Sequence, residues 1–194
     1  PGDSKIGQAR LAEGYSGAPG KMAIGGNYAF VSTAGVGLQV VDIEGSKTYS
    51  PLDPGAAIVG GFDTIGYDCD PAAPENQRSC GSPLDIDLIK GGKALLTTTK
   101  GYLLILDVNM PQYPQLTTLF KADSPGAALG YKSARQTAVA EEYAYTDAAT
   151  GDAMVIDLAM VSGSYPDGHV YTLDLTDPYL PKVLGILKDQ QGNV

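Results

Sequence analysis

The sequence has little positive charge and no long apolar run. Lysine and arginine number 13 against 22 acidic residues, so the formal net charge is −9 and the pI is near 4.4. Nucleic acid is disfavoured as a partner, because a phosphate backbone needs a basic surface to bind it. The longest apolar run, Tyr102–Leu106, is strand-sized, far below the roughly 20 residues of a membrane-spanning helix. We therefore predict a protein that neither binds nucleic acid nor spans a membrane.

Histidine and cysteine are also scarce. The two cysteines, Cys69 and Cys80, enclose ten residues, and the only histidine is the distant His169. These residues do not make a zinc ligand set, so a disulfide is the favoured interpretation and free thiols are the alternative. Because disulfides persist in oxidising compartments, the protein is predicted to be extracellular or at a cell surface, with the periplasm as a further location.

The few residues with catalytic character have simpler interpretations. Ser164 and Asp167 stand close to the histidine, but no GxSxG or other nucleophile signature is present. Proline, aspartate and glycine at 166–168 predict a turn instead. Asp85 and Asp87 alternate along a predicted strand and share a face, as paired carboxylates would. Solvation at a strand edge is the favoured interpretation of this pair.

Glycine and proline punctuate the chain throughout. The 25 glycines and 13 prolines lie between short runs rich in valine, isoleucine, leucine, tyrosine and threonine. This pattern is typical of an all-β protein with many tight turns. The window Ser133–Tyr145 contains good helix formers, but it also fits a repeated strand pattern, so we predict that it is extended.

Internal repeats carry the strongest signal in the chain. Lys21–Ile43, Ile86–Val108 and Gln136–Leu158 align without gaps, and each ends in an apolar run closed by aspartate. A second element, Asp-x3-Pro-x2-Pro, spans Asp107–Pro114 and Asp174–Pro181. Because proline has no N–H to donate to a ladder, this element predicts a rigid connector to the next strand.

The aspartates at the repeated strand ends are predicted to be structural. Recurrence in every unit argues against a unique catalytic role, and an aspartate there accepts hydrogen bonds from N–H groups of the following turn. The four residues are Asp42, Asp107, Asp157 and Asp174. The last two are only 17 residues apart, too few for a whole unit. Ala153–Ser162 and His169–Leu175 are therefore alternatively interpreted as adjacent strands of one unit.

The repeats also indicate the architecture. One unit of three or four strands cannot bury both faces of its sheet, so units must stack, and four-stranded units repeated radially form a β-propeller. Residues 1–194 are interpreted as one propeller portion, with repeat units at about 21–62, 84–120 and 136–187 and an insertion at about 63–82. The prediction is an all-β fold, a partial β-propeller of about three to four blades. A β-sandwich built from the same strands is the alternative.

The repeated phrases resemble a known family. NYAFVSTAGVGLQVVDI, GYLLILDVNMPQYP and VYTLDLTDPYLPKVLG are similar to LVIVD repeats. The resemblance implies a propeller of bacterial or archaeal surface-protein type. From it we expect a non-catalytic extracellular or cell-surface scaffold that contacts proteins or glycans, or assembles with copies of itself. The alternative is a propeller-type hydrolase, lactonase- or glycosidase-like, with its active site in a central channel.

The polar insertion carries the only metal candidate. Asp68, Asp70 and Glu75 supply hard oxygen ligands with Asp-x-Asp spacing, which is the chemistry that Ca²⁺ uses. The full EF-hand series is absent, and acidic loops are common in so acidic a protein, so a solvated loop is favoured. No cofactor is predicted apart from this Ca²⁺ candidate.

The ends of the chain suggest that it is incomplete. It starts at Pro1 rather than at methionine, so we expect a processed protein or a piece of a longer one. Three repeat frames account for nearly all of the pattern, whereas a closed propeller needs at least four blades. We expect an open arc whose exposed apolar faces associate with further blades or with copies of the chain.

Overall fold

The computed structural model describes residues 18–46, 58–121, 134–146, 153–163 and 170–187. The residues considered above for a catalytic triad, Ser164, Asp167 and His169, lie outside these ranges. Within the described ranges, no helix has the length and apolar character needed to cross a membrane.

In the described part of the chain, twelve strands form three sheets, each of four antiparallel strands in chain order. Sheet 1 contains β1 Pro19–Gly25, β2 Tyr28–Thr33, β3 Gly37–Asp42 and β4 Ile58–Phe62. Sheet 2 contains β5 Pro83–Ile89, β6 Lys93–Thr98, β7 Tyr102–Asp107 and β8 Gln115–Lys121. Sheet 3 contains β9 Ala134–Thr146, β10 Ala153–Gly163, β11 Val170–Asp174 and β12 Lys182–Leu187. The described helical structure is a four-residue turn, α1 (Ile43–Ser46), and a 3-10 turn at Glu75–Gln77. The all-β prediction is confirmed.

The two Asp-x3-Pro-x2-Pro segments connect the third and fourth strands of their sheets. Asp107 pairs with Gln115 across the connector of sheet 2, and Asp174 pairs with Lys182 across that of sheet 3. In both, the N–H of the residue before the second proline donates to a carbonyl three residues earlier, which closes a tight turn. The connectors lie where the sequence predicted them, because the proline pattern sets a purely local geometry, and their rigidity stays a prediction.

Sheet 3 corrects the alignment of the third repeat. Asp157 lies inside β10, while the residue that ends the third strand of sheet 3 is Asp174. The carbonyl of Asp157 accepts a hydrogen bond from the N–H of Leu175 at 2.7 Å, and Leu175 directly follows the strand-end residue Asp174. In the other two sheets, the N–H of the residue after the strand-end aspartate donates to the carbonyl of Asn27 or Gly92. Asp157 is therefore equivalent to a turn residue, and its predicted position at a strand end is wrong. The alternative held open above is confirmed, since β10 and β11 pair directly.

The cause of this misalignment is the length of the β9–β10 hairpin. Its pairing continues from Ser162 and Gln136 as far as Ala153 and Thr146, with an irregularity at position 157. The hairpin arm supplies a second aromatic strand followed by a second apolar run. Those residues resemble the β2–β3 segment in composition but occupy β9 and β10. Antiparallel strands of similar composition are indistinguishable until their partners are known.

The sheets are stacked with sheet 2 in the middle. One apolar cluster joins sheets 1 and 2, and it includes Phe30, Val40, Leu96 and Leu104. A second cluster joins sheets 2 and 3. It uses side chains on the other face of sheet 2, such as Leu95 and its neighbours on β7. All six residues of β6 are buried, because sheets 1 and 3 cover both faces of sheet 2. This burial explains why the apolar runs of sheet 2 do not alternate with polar residues.

The first strands of the three sheets lie side by side. β5 contacts β1 on one side and β9 on the other. Each sheet therefore places its first strand at a common centre and its fourth strand outside. This order is the one expected when blades are repeated around an axis.

Candidate functional site

Two carboxylates of β5 join sheet 2 to sheet 3 at this centre. Asp85 is 7% exposed; its Oδ1 accepts the N–H of Ile86 and its Oδ2 accepts the N–H of Thr137, both at 3.0 Å. The hydroxyl of Thr137 donates to Oδ2 of Asp87 at 2.6 Å. Both carboxylates therefore bind the same residue of β9.

These contacts correct the prediction of solvated edge carboxylates. β5 is an edge strand of its own sheet, but β1 and β9 cover that edge. Asp85 is buried in consequence, and its hydrogen bonds are to backbone N–H groups. The pair fastens one sheet to the next. A general acid and base would instead need carboxylate oxygens that face a substrate.

The two carboxylates differ in their electrostatic surroundings. The pKa of Asp87 is raised, chiefly because burial disfavours its charged form. The hydrogen bond from Thr137 opposes this shift, the charge of Asp85 adds to it, and the charge of Lys21 on β1 opposes it. The folded protein therefore binds more protons at Asp87 than the unfolded chain does in the interval between the two pKa values. The contribution of Asp87 to stability is complete below the unfolded pKa and is lost as the pH rises through the folded pKa.

We expect Asp87→Asn to raise the thermal midpoint near pH 7 and to lose this advantage near pH 4. The amide oxygen still accepts the Thr137 hydroxyl, while the charge whose burial is unfavourable is removed. Asp85→Asn is the matched comparison. Its amide NH₂ group would face a backbone N–H that donates to the carboxylate in the parent, and this hydrogen bond would be lost. Asp85→Asn should therefore lower the free energy of unfolding by about 1–3 kcal/mol near pH 7. Thermal unfolding followed by circular dichroism at both pH values tests the pair. Equal effects of the two variants would contradict the assignment.

The strand-end aspartates make one repeated hydrogen bond. Oδ1 of Asp42 accepts the N–H of Glu44 at 2.9 Å, and Oδ1 of Asp107 accepts that of Asn109 at 3.0 Å. Oδ1 of Asp174 accepts the N–H of the residue two positions later, also at 2.9 Å. Such a bond turns the chain sharply after the strand. The importance of these aspartates for folding stays a prediction.

Asp107 has additional partners. Nζ of Lys93 lies 2.7 Å from its Oδ2, and the side-chain amide of Asn109 donates to its Oδ1 at 3.1 Å. The bond from Lys93 is the main reason that the pKa of Asp107 is lowered. The positions equivalent to Lys93 are Tyr28 and Leu158, because each pairs with the strand-end aspartate of its own sheet. The ion pair therefore belongs to the middle sheet alone.

The insertion contains the predicted disulfide. Cys69 and Cys80 are bonded, with their Cα atoms 5.1 Å apart, so this prediction is confirmed. The polar sequence around them suggested an exposed loop, but Cys80 is fully buried and Cys69 is 7% exposed. Both sulfurs belong to the apolar cluster between sheets 1 and 2. The bridge therefore fastens the insertion to the core.

The calcium candidates have other positions. Oδ2 of Asp68 lies 3.7 Å from Nη1 of Arg78, in an exposed ion pair. The backbone N–H of Asp70 donates to the carbonyl of Arg78, and Glu75 begins the 3-10 turn. Across the described ranges, no three acidic, histidine or cysteine side chains are placed to hold one metal ion. Asp68, Asp70 and Glu75 thus do not form a prepared ligand set, and calcium binding stays a prediction.

Comparison with known proteins gives two likenesses. Among solved structures, the chain is similar to the computationally designed Ika8 protein, with 12% identity and a TM-score of 0.30. The match covers 90% of this chain and 63% of the designed protein, so the chain spans less than two thirds of that protein's length. No curated protein matches the chain. Residues 16–52 match the family model of the LVIVD repeat, which agrees with the resemblance noted in the sequence.

Proposed function

We propose that the chain is a non-catalytic scaffold, a portion of a β-propeller at a cell surface or outside the cell. Three observations support this proposal: the LVIVD repeat at 16–52, three stacked four-stranded sheets with their first strands at a common centre, and a buried disulfide. The disulfide favours an oxidising compartment. The carboxylates best placed for chemistry, Asp85 and Asp87, are used to hold the sheets together.

The observation that carries the proposal is the pair of outer faces at the ends of the stack, each of which exposes apolar side chains. We call the side of a sheet that looks toward the next sheet its forward face, and the opposite side its rear face. Phe30 of sheet 1 and Leu95 of sheet 2 lie on forward faces, whereas Leu96 of sheet 2 and Val161 of sheet 3 lie on rear faces. Forward faces pack on rear faces at both junctions.

The two outermost faces are of opposite types. The rear face of sheet 1 contains Val31 and Val41, together with Met22 and Ile24, which are 61% and 65% exposed. The forward face of sheet 3 contains Met160, which is 38% exposed. A further sheet can therefore add at either end with the same type of contact. A scaffold continued by further blades, or by copies of the chain, would cover these apolar faces.

We expect the 194-residue chain to self-associate at micromolar concentration, because copies can place a forward face on a rear face. The double variant Met22→Glu and Ile24→Glu should shift the protein toward monomer, since it places charge on the rear face of sheet 1. Met110 and Tyr113 are similarly exposed, at 59% and 71%, but lie on a connector. Changing these two to glutamate is the matched control and should leave association unchanged.

Sedimentation velocity measures the outcome for all three proteins. A parent chain that sediments as a monomer and unfolds cooperatively would contradict the proposal. That result would favour a compact arrangement of the three sheets that needs no further sheets.

A further inference from the structure

A pocket of about 490 Å³ lies at one end of sheet 1, and its residue Gln39 lies on the rear face of that sheet, because it pairs with Val31. Its wall is formed by β3, β4, the turn between β2 and β3, and the first residues of the insertion. Four of its lining residues are glycines: Gly35, Gly60, Gly61 and Gly66. The volume is within the range of small-molecule sites. Because glycine has no side chain, ligand atoms can approach the backbone closely here.

Two of these glycines are also required by the packing of the chain around the pocket, because a side chain at either position would clash with a neighbouring backbone. A Cβ on Gly61 would lie 2.5 Å from the carbonyl oxygen of Leu38, and one on Gly60 would overlap the carbonyl oxygen of Pro111. Among the described strands, β4 pairs only with β3 and is the outer strand of its sheet. Some of its backbone N–H and C=O groups therefore face away from the sheet and are available to a ligand.

A buried amide provides a hydrogen-bond donor in the pocket. Gln39 lines the pocket and is only 6% exposed. Its Oε1 accepts the hydroxyl of Thr33 at 3.0 Å, and this bond orients the amide so that Nε2 is the free end. A ligand oxygen in the pocket would accept a hydrogen bond from it.

A carboxylate provides the matching acceptor. Oδ1 of Asp63 accepts the N–H groups of Ile65 and Gly66, at 2.9 and 2.8 Å. These bonds hold the carboxylate in place at the pocket wall and direct Oδ2 beside Gly66. The pocket thus combines a fixed donor and a fixed acceptor with apolar surface from Val36, Phe62 and others.

We propose that this pocket binds a neutral sugar unit of a glycan. A hydroxyl group can accept from Gln39 and donate to Asp63 at once, or two neighbouring hydroxyls can do so separately. The apolar wall fits the C–H face of a pyranose ring. None of the described residues that line the pocket is lysine, arginine or histidine, and the chain carries a net charge of −9, so an anionic ligand is disfavoured. This inference rests on the proposed scaffold function and names the partner of one of its surfaces.

Titration of ¹⁵N-labelled protein with free sugars tests the proposal. We expect the amide resonances of Gly35, Gly60, Gly61 and Gly66 to shift with millimolar galactose, mannose, N-acetylglucosamine or one of their disaccharides. Asp63→Asn keeps the acceptor for the turn but replaces Oδ2 by an amide nitrogen. It should weaken binding at least tenfold. Gln39→Met should do the same. Asp68→Asn in the same loop and Gln77→Met in the exposed 3-10 turn are the matched controls and should leave affinity unchanged.

The possible outcomes are distinct. Sugar-dependent shifts of the pocket glycines that are lost in Asp63→Asn support the proposal, even if Gln39→Met fails to fold. Absence of shifts with every sugar, or shifts that survive Asp63→Asn, would overturn it. Shifts produced by an extended glycine-rich peptide alone would assign the pocket to a protein strand and also overturn it. Sedimentation of the parent chain tests the scaffold proposal without any sugar, so the two proposals can fail separately.

Discussion

Replacing Cys69 and Cys80 together by alanine is expected to lower the free energy of unfolding by about 2–4 kcal/mol. The bridge restricts the unfolded chain by closing a loop. Its sulfurs also fill space in the core between sheets 1 and 2, where Cys80 is fully buried. The double serine variant should lose still more stability, because it buries hydroxyl groups in an apolar cluster. Urea unfolding of the parent and of both variants measures these differences.

The parent in reducing agent is the internal control for this experiment. It should resemble the double alanine variant to within about 1 kcal/mol, since both lack the covalent link. Alkylation of the native parent without reductant, followed by mass spectrometry, should label no thiol. Two labelled thiols on native protein, together with an alanine variant of parental stability, would contradict a structural disulfide.

Asp107→Ala is expected to lower the free energy of unfolding by about 2–3 kcal/mol, more than the same change at the other strand-end aspartates. All three aspartates lose the hydrogen bond to the following turn. Only Asp107 also leaves a buried ammonium without its partner, because the side chain of Lys93 is 9% exposed. Asp42→Ala and Asp174→Ala should each cost about 1 kcal/mol. Urea unfolding of the three single variants gives the comparison.

A rescue variant separates the two causes. Lys93→Met combined with Asp107→Ala replaces the ion pair by apolar groups and should recover part of the loss. The pH dependence gives a second test. The pKa of Asp107 is lowered in the folded protein, so its contribution is present above the unfolded value near 4 and is lost as the pH falls toward the folded pKa. The difference in the free energy of unfolding between the parent and Asp107→Ala should therefore become smaller in acid. A gap that is unchanged by pH and by the rescue would contradict the role of Lys93.

Local sequence patterns predicted the elements whose geometry is local. The Asp-x3-Pro-x2-Pro segments after Asp107 and Asp174 predicted connectors, and both connectors place the next strand eight residues later. The VVDI and ILDV endings predicted the third strands of sheets 1 and 2 correctly. The pocket residue Gln39 was missed, because one polar residue in a strand pattern carries no signal until the sheet around it is known.

The sequence by itself determined that this protein is all-β, that it repeats, and where its turns and proline connectors lie, because these properties depend on residues close together in the chain. Only the tertiary structure decided which strands pair in sheet 3, that the disulfide is buried, and that Asp85 and Asp87 hold β9. Each of these depends on residues far apart in sequence. Side chains along a strand alternate between the two faces of the sheet, and this pattern does not show which strand is the partner. Burial is a property of the neighbouring sheet, which no single repeat contains.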